Sequence, residues 1–480
     1  MPPGGLPAAR GGPPALRSLP EPHSGGEPDR RPWGTFLAVA VAFAVAVAFA
    51  DSSIVVLALP DIYVDFGTSI PGVSWVITAY NLIVAVAAFA LLPATRRVRP
   101  LVLAVVGITV FLGASIGCGV AGSLTPLIAF RCLQGLGAAL LLAASLPLLA
   151  ALTGSAARGR RWWTLAGALG VAFGPALGGL LTEIFEWRAI FFAQAPIAAV
   201  ALVSGLSAAA RAIPVETARP AGERTLWANL GLVCVFGALV GALFLAVLMV
   251  VTVWDLGPLA GAGIVSALPV AALLVRPLSG ILDATLDVVA GALLLAAGLV
   301  ALAFLPATSA VYASLALAVC GAGFGLAVPP LTRASIGRDS ALAWHGTVSV
   351  GSRHAGLMLA LILIAPLLGY QLERGGERAT LNSTAVILDA PIPLQQKVPI
   401  ALDLRDEFQK TPEGKLPDLA KPFDENGAAS DGAVRETRDN LLETIQAALT
   451  RSFRSSYGLA AFFALLTLLP VGFHRLRRLS

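Results

Sequence analysis

Long apolar stretches recur along the whole chain, separated by short polar punctuation, and nothing else in the sequence constrains the fold as strongly. A helix crosses roughly 30 Å of hydrocarbon with about 20 apolar residues. Inside lipid every backbone N–H and C=O must find a partner in the protein, so a span is either a helix or a strand of a closed barrel. Barrel strands alternate apolar and polar over about 10 residues, whereas these runs are continuous and longer. Only 13% of residues are charged and 57% are hydrophobic, where a soluble chain carries about 25% charged. An ordinary soluble enzyme is thereby excluded. So is a disordered protein, which needs low hydrophobicity.

Twelve runs qualify as membrane helices: 34–59, 74–94, 100–122, 124–152, 162–184, 189–210, 227–253, 258–279, 286–306, 309–332, 344–369 and 456–473. Cytoplasmic loops concentrate Lys and Arg, which sets the orientation. With the N-terminus inside, the inner segments hold Arg30 and Arg31, then Arg96, Arg97 and Arg99, then Arg158, Arg160 and Arg161. Further along they hold Arg211, Arg219 and Arg224, then Arg333 and Arg338, then Arg475, Arg477 and Arg478. The short outer loops carry Asp61, Asp65, Glu183, Glu186, Arg188 and Asp255. The alternation predicts a multi-pass protein of the cell (plasma or inner) membrane with both termini cytoplasmic.

The expected organisation follows. Residues 1–32, rich in Pro, Gly and Arg, read as a disordered cytoplasmic tail. Residues 33–210 form an N-terminal six-helix bundle, and 211–226 a cytoplasmic linker. Residues 227–369 supply helices 7–11 of a C-terminal bundle, and 456–480 supply helix 12 with a basic cytoplasmic tail. Between helices 11 and 12 lies a polar, extracytoplasmic insertion, 370–455, with every lysine of the chain. Spans four (QGLGAALLLAASLP) and ten (CGAGFGLAVPP) are both small-residue helices ending near proline. Two such halves are the repeat plan of many transporters. Within the insertion, 434–453 places Leu441, Leu442, Ile445, Ala448 and Leu449 on one face of an amphipathic helix. It is expected to pack on the outer mouth; a lid or a docking element for an extracytoplasmic partner is the alternative.

Charges inside spans are costly and usually functional. Asp51 interrupts span one in its outer half. Burial favours the protonated form of a carboxyl group and an adjacent cation the ionised form. A carboxyl carried between such settings takes up and releases a proton. Arg131 opens span four near the same depth, within reach of Asp51 or of substrate, and Gln134 lies one turn further on. Arg353 and His354 form a polar pair in span eleven. In span five, Gly170, Gly174 and Gly178 share a helical face, so another helix can approach closely, and Pro175 permits a kink. Together with Gly179 they read as a sliding contact or hinge, or as ordinary close packing.

The four cysteines, Cys118, Cys132, Cys234 and Cys320, all sit in apolar runs and imply no disulfide framework. No phosphate-binding GxxxxGK[ST] loop, HExxH or CxxC pattern is present. No cofactor, no metal and no nucleic-acid partner is expected, and energy is expected to come from an ion gradient.

Four stretches, ADSSIVVLALPDI (50–62), SWVITAYNL (74–82), FRCLQGLGAAL (130–140) and GALGVAFGPALGGLL with EWRAIFFAQAPI (167–197), resemble the major facilitator superfamily. Within it they are most similar to the drug:proton antiporters. The resemblance implies the major facilitator fold, twelve transmembrane helices in two six-helix bundles around a central cavity. It implies export of drug-like or amphipathic small molecules in exchange for protons, by alternating access in the lipid bilayer. It assigns Asp51 and Arg131 to proton coupling and the glycines around Pro175 to conformational switching. Tyr80 and Asn81 join Gln134, Arg353 and His354 as cavity candidates. In the loop between spans two and three the chain keeps Arg96, Arg97 and Arg99 but lacks the glycine and aspartate of the family pattern. Its second-half counterpart, SGILDATLD, keeps Gly280 and Asp283 without the basic residues. A lipid or glycolipid exporter or importer on the same fold, or a non-transporting receptor or assembly partner, is the competing reading.

Overall fold

Continuous apolar runs with no polar face can satisfy their backbone only within one segment, and the chain accordingly folds as helices. The computed structural model describes residues 32–205, 213–216, 225–281, 283–306, 308–337, 341–390, 393–410, 422–423 and 432–472, and all regular structure among these is helical. The expected N-terminal tail up to residue 31, most of the linker and the basic C-terminal tail fall outside the described residues.

Spans one to six are Pro32–Val56, Ile70–Thr95, Pro100–Gly119, Leu124–Leu152, Ala156–Ile184 and Arg188–Gly205. Span seven runs over Leu226–Val247 and ends in a π-helical turn, Leu248–Val253. Span eight is broken into Pro258–Val265 and Ala267–Val275, and spans nine and ten are Ala284–Ala303 and Ala310–Ile336. Among the described residues eleven helices are long and apolar enough to cross a membrane, against the twelve expected; the sixth run, described over Arg188–Leu202, is shorter. Span five starts earlier than its apolar run, so Arg158, Arg160 and Arg161 lie in its first turns, behind the Ser155 N-cap.

Helix eleven differs most from the expected boundary. It continues unbroken from Leu342 to Asp389, through the point where the polar insertion begins. The expected amphipathic helix is Gly432–Ser452, with Leu441, Ile445 and Leu449 buried. They share a core with Leu372, Ala379 and Ile387 of the long helix and with Ile400 and Leu404 of a third helix, Leu394–Lys410. A single residue, Phe453, separates the Gly432–Ser452 helix from span twelve, which begins with Arg454–Leu466, and the core continues into it through Tyr457 and Ala460.

Glycine contacts expose the duplication. In spans three and four, a β-carbon on Gly107 would stand 2.7 Å from the Gly137 carbonyl, and one on Gly137 equally close to the Gly107 carbonyl. Spans nine and ten repeat this with Gly291 and Gly323, at 2.6 and 2.5 Å. Gly170 of span five meets the Ala46 carbonyl of span one, and Gly356 of span eleven meets the Val233 carbonyl of span seven. The halves touch where Gly351 and Gly369 of span eleven meet Phe89 and Pro71, and where Gly179 of span five meets Ala262 and the Pro258 carbonyl.

Candidate functional site

Three spans bring four buried polar side chains into a closed ring. Asp51 Oδ2 lies 2.6 Å from Arg131 Nη2, both side chains fully buried. Arg131 Nη1 donates to Gln134 Oε1 at 2.6 Å, and Gln134 Nε2 donates to Gln194 Oε1 at 2.6 Å. Gln194 Nε2 donates to Asp51 Oδ1 at 3.0 Å and closes the circuit. Arg131 Nε donates to the Val76 carbonyl at 2.7 Å, and Ser115 Oγ accepts from Gln134 at 2.9 Å. The Tyr80 ring lies 4.4 Å below the guanidinium, its hydroxyl donating to the Ala48 carbonyl at 2.9 Å. One cation and one anion cancel, and the two amides supply further partners, Gln134 to Arg131 and Gln194 to Asp51. Such satisfaction is the condition for keeping an ion pair in a low-dielectric interior.

The glycine face of span five positions the carboxylate. Gly170, Gly174 and Gly178 lie against Ala46, Ser53 and Ile54 of span one, so any side chain there would strike its backbone or Ser53. The backbone of the Asp51 helix is thus held flush against span five. Gly179, on the adjoining face, contacts span eight of the other half. The expected close-packing face is therefore present, and the helix that carries Pro175 bridges the ion-pair bundle and the opposite half.

Two apolar cavities occupy the seam between halves. The larger, open on one side, spans about 630 Å³ of space between spans five, seven, eight, ten and eleven, part of it continuous with the outside. The smaller, also partly open, spans about 450 Å³ and is lined by Ser52 and Ser53, next to Asp51, with Phe49, Phe236 and His354. Arg353 lines both. It is buried, Nη2 donates to Thr332 Oγ1 at 2.9 Å, and its guanidinium sits 5.2–5.4 Å from the rings of Phe49, Trp163 and Phe236. His354 Nδ1 donates to the Val350 carbonyl at 2.9 Å, since a carbonyl can only accept, and its ring stacks on Phe49.

Of the expected cavity residues, Arg353 and His354 line these spaces. Tyr80, Asn81 and Gln134 do not; they stand behind the wall, inside the first half. Tyr80 and Gln134 belong to the ion-pair ring, while Asn81 Oδ1 accepts from Ser52 at 3.0 Å. A polar side chain in a span gains more from a partner inside the bundle than from an apolar cavity wall. Arg96, Arg97 and Arg99 are exposed in the loop between spans two and three, with no carboxylate within 4 Å among the described residues. Its counterpart turns at Gly280, whose φ of +108° favours glycine and whose N–H donates to buried Asp287 at 2.7 Å. Asp283 caps span nine through Thr285 N at 3.0 Å.

Gln194 and the aromatic box around Arg353 are absent from the sequence reading. Gln194 had a signal, being a lone polar side chain in the apolar run AIFFAQAPIAAV, since polar groups in spans seek partners across helices. The box had none, because Phe49, Trp163 and Phe236 come from three separate helices.

A family model described as Major Facilitator Superfamily matches residues 41–350. The multidrug resistance protein Stp of Mycobacterium tuberculosis is 36% identical over 172 residues, 34% of this chain and 31% of that protein. The tetracenomycin C resistance and export protein of Streptomyces glaucescens is 35% identical over 178 residues, 37% of this chain and 33% of that protein. The methylenomycin A resistance protein of Bacillus subtilis is 32% identical over 189 residues, 39% and 40% of the two chains. The matched region thus spans about a third of the length of these relatives. A bacterial homologue of the human lysosomal transporter Spinster, solved in an inward-facing and unoccupied conformation, superposes with a TM-score of 0.64 at 15% identity. That superposition covers 92% of this chain and 97% of the other, and shows the fold.

Proposed function

The chain belongs to the Major Facilitator Superfamily, as a multi-pass membrane protein, and we propose that it is a secondary transporter that exports drug-like or amphipathic small molecules in exchange for protons. The observation that carries this reading is the buried Asp51–Arg131–Gln134–Gln194 ring, one residue away from the cavity wall formed by Ser52 and Ser53. A proton placed on Asp51 removes the anion of the pair. Arg131 is then left with the Val76 carbonyl, Gln134 and the Tyr80 face, a cation without a counterion in low dielectric. That is an unfavourable state, and it is relieved when span one shifts. Span one lies flush on span five, and span five meets span eight at Gly179. Proton uptake at the ring thus biases the contact between halves, which is what alternating access requires.

The relatives named for multidrug resistance and antibiotic export support export of small molecules. In the cell membrane, both termini are cytoplasmic and residues 370–455 face outward, where their packed core forms a cap that can receive an extracytoplasmic partner. The Gly170–Gly179 segment is the switching contact, and Arg96, Arg97 and Arg99 face the cytoplasm.

Purified protein in proteoliposomes, with a pH gradient imposed, tests this. Substrate flux rises with the gradient in the natural protein and becomes gradient-independent in Asp51→Asn. Full coupling in Asp51→Asn, or flux indifferent to the gradient in the natural protein, refutes the exchange mechanism.

A further inference from the structure

The charged side chains that line the two cavities are all of one sign. Arg353 borders both cavities and Arg276 borders the larger; no aspartate or glutamate borders either. Asp51, the nearest buried carboxylate in the first half, is already committed to Arg131. Neither Arg353 nor Arg276 has a carboxylate within 4 Å among the described ion pairs.

Arg353 is held in an unusual way for a buried cation. Its side chain is about nineteen-twentieths buried, one Nη bonds Thr332, and Nε has no hydrogen-bond partner. Aromatic faces from both halves, Phe49 and Trp163 on one side and Phe236 on the other, take the place of a counterion. Ring faces attract a cation but leave its in-plane N–H groups free. A guanidinium presents those groups as a fork that matches a carboxylate, sulfonate or phosphate. Around it the walls are apolar, with Val171, Leu268, Leu273, Phe324 and Val328.

We propose that the cargo of this seam is an anionic amphiphile, its acidic head held by the Arg353 fork and its apolar body lying in the larger cavity, with Arg276 attracting the head at the cavity rim. The proposal rests on the transport reading above and narrows it. An isolated cationic cargo is disfavoured, because it would face two arginines and no carboxylate.

The test uses full-length protein in nanodiscs, with empty nanodiscs subtracted, and three fluorescent probes with one aromatic body. These are 1-anilinonaphthalene-8-sulfonate, its neutral parent N-phenyl-1-naphthylamine, and the same parent carrying a trimethylammonium group. Equilibrium titration is expected to rank sulfonate above neutral by about tenfold, the scale of one charge-assisted contact, and ammonium last. Arg353→Gln is expected to bring the sulfonate within about twofold of the neutral probe, which itself is unmoved. A merely structural arginine would weaken all three alike. Arg276→Gln, outside the aromatic box, is expected to weaken the sulfonate about threefold and nothing else, which keeps the test open if Arg353→Gln does not fold. Equal or tighter binding of the ammonium probe, or equal losses for all probes in Arg353→Gln, overturns the proposal. Titration needs no gradient, so a sulfonate preference without proton-driven flux would count against the exchange reading alone. Proton-driven efflux of only the ammonium probe would count against the anionic cargo alone.

Discussion

The two halves of this protein share a scaffold and differ in what they bury within it. Gly107 against Gly137 in the first half is matched by Gly291 against Gly323 in the second, and Gly170 on Ala46 by Gly356 on Val233. Six residues before Gly137 stands Arg131; six before Gly323 stands Leu317, also buried. Five after Ala46 stands Asp51; five after Val233 stands Ala238. The positions that hold the ion pair in one half are filled by hydrocarbon in the other. Conversely, Arg353 lies three residues before Gly356, and its first-half counterpart is Gly167, on the wall of the same cavity. Backbone approach through glycine is therefore the shared structural requirement. Charge is an addition, placed differently in each copy.

A graded series of substitutions can break or sharpen that comparison. The largest effect is expected for Arg131→Leu, which gives the first half the residue its twin carries. It strands Asp51 as a buried anion and should cost about 3–5 kcal/mol, read as a fall in unfolding midpoint in mild detergent. Adding Asp51→Ala should restore a large part of the loss, since Ala238 and Leu317 show that an apolar pair fits this scaffold. A double variant no better than the single would show that the halves are not interchangeable.

Next come Gly170→Val and Gly356→Val. In both, the new β-carbon meets a main-chain carbonyl that cannot move aside alone, and overpacking of this kind costs about 3 kcal/mol. Equal losses in thermal stability are expected; sensitivity in one half only would count against a common scaffold. Gln194→Leu removes the link between Gln134 and Asp51. It leaves buried polar atoms unpaired, for about 2 kcal/mol, in a ring that the second half lacks. The smallest effect belongs to Gly280→Ala, which puts a β-carbon at φ +108° for about 1 kcal/mol. No equivalent glycine exists at Arg96–Arg99, and Ala substitutions there should leave stability unchanged.

Much of this was legible in the sequence, for reasons particular residues make plain. Asp51 and Arg131 stand out because a charge in a span must be answered, and each was the nearest answer to the other. Gly170, Gly174 and Gly178 announced a close contact by spacing, though spacing does not name the partner helix. Tyr80, Asn81 and Gln134 were placed one layer too far forward. Their helices are apolar on every side, so periodicity carries no rotation angle, and only packing reveals which face looks inward. The long helix Leu342–Asp389 ran past its expected end because the end of the apolar run at residue 369 marks where the chain turns polar, not where the helix stops. In the fold, Gly375 makes room for Ser452, and Leu372, Ala379 and Ile387 seal the helix against its neighbours. Tertiary burial outweighed local propensity there.

That unbroken helix has a mechanical consequence. Asp389 at its far tip is thirty-six residues on from Arg353 in the seam, about 54 Å of helix at 1.5 Å each. Each degree of tilt about Arg353 sweeps the tip by about 1 Å, and the tip is bolted to the helical cap. The cap is thus the pointer of a gauge: under the cargo proposal above, a fluorophore or antibody fixed there is expected to report whether the arginine at the other end is occupied.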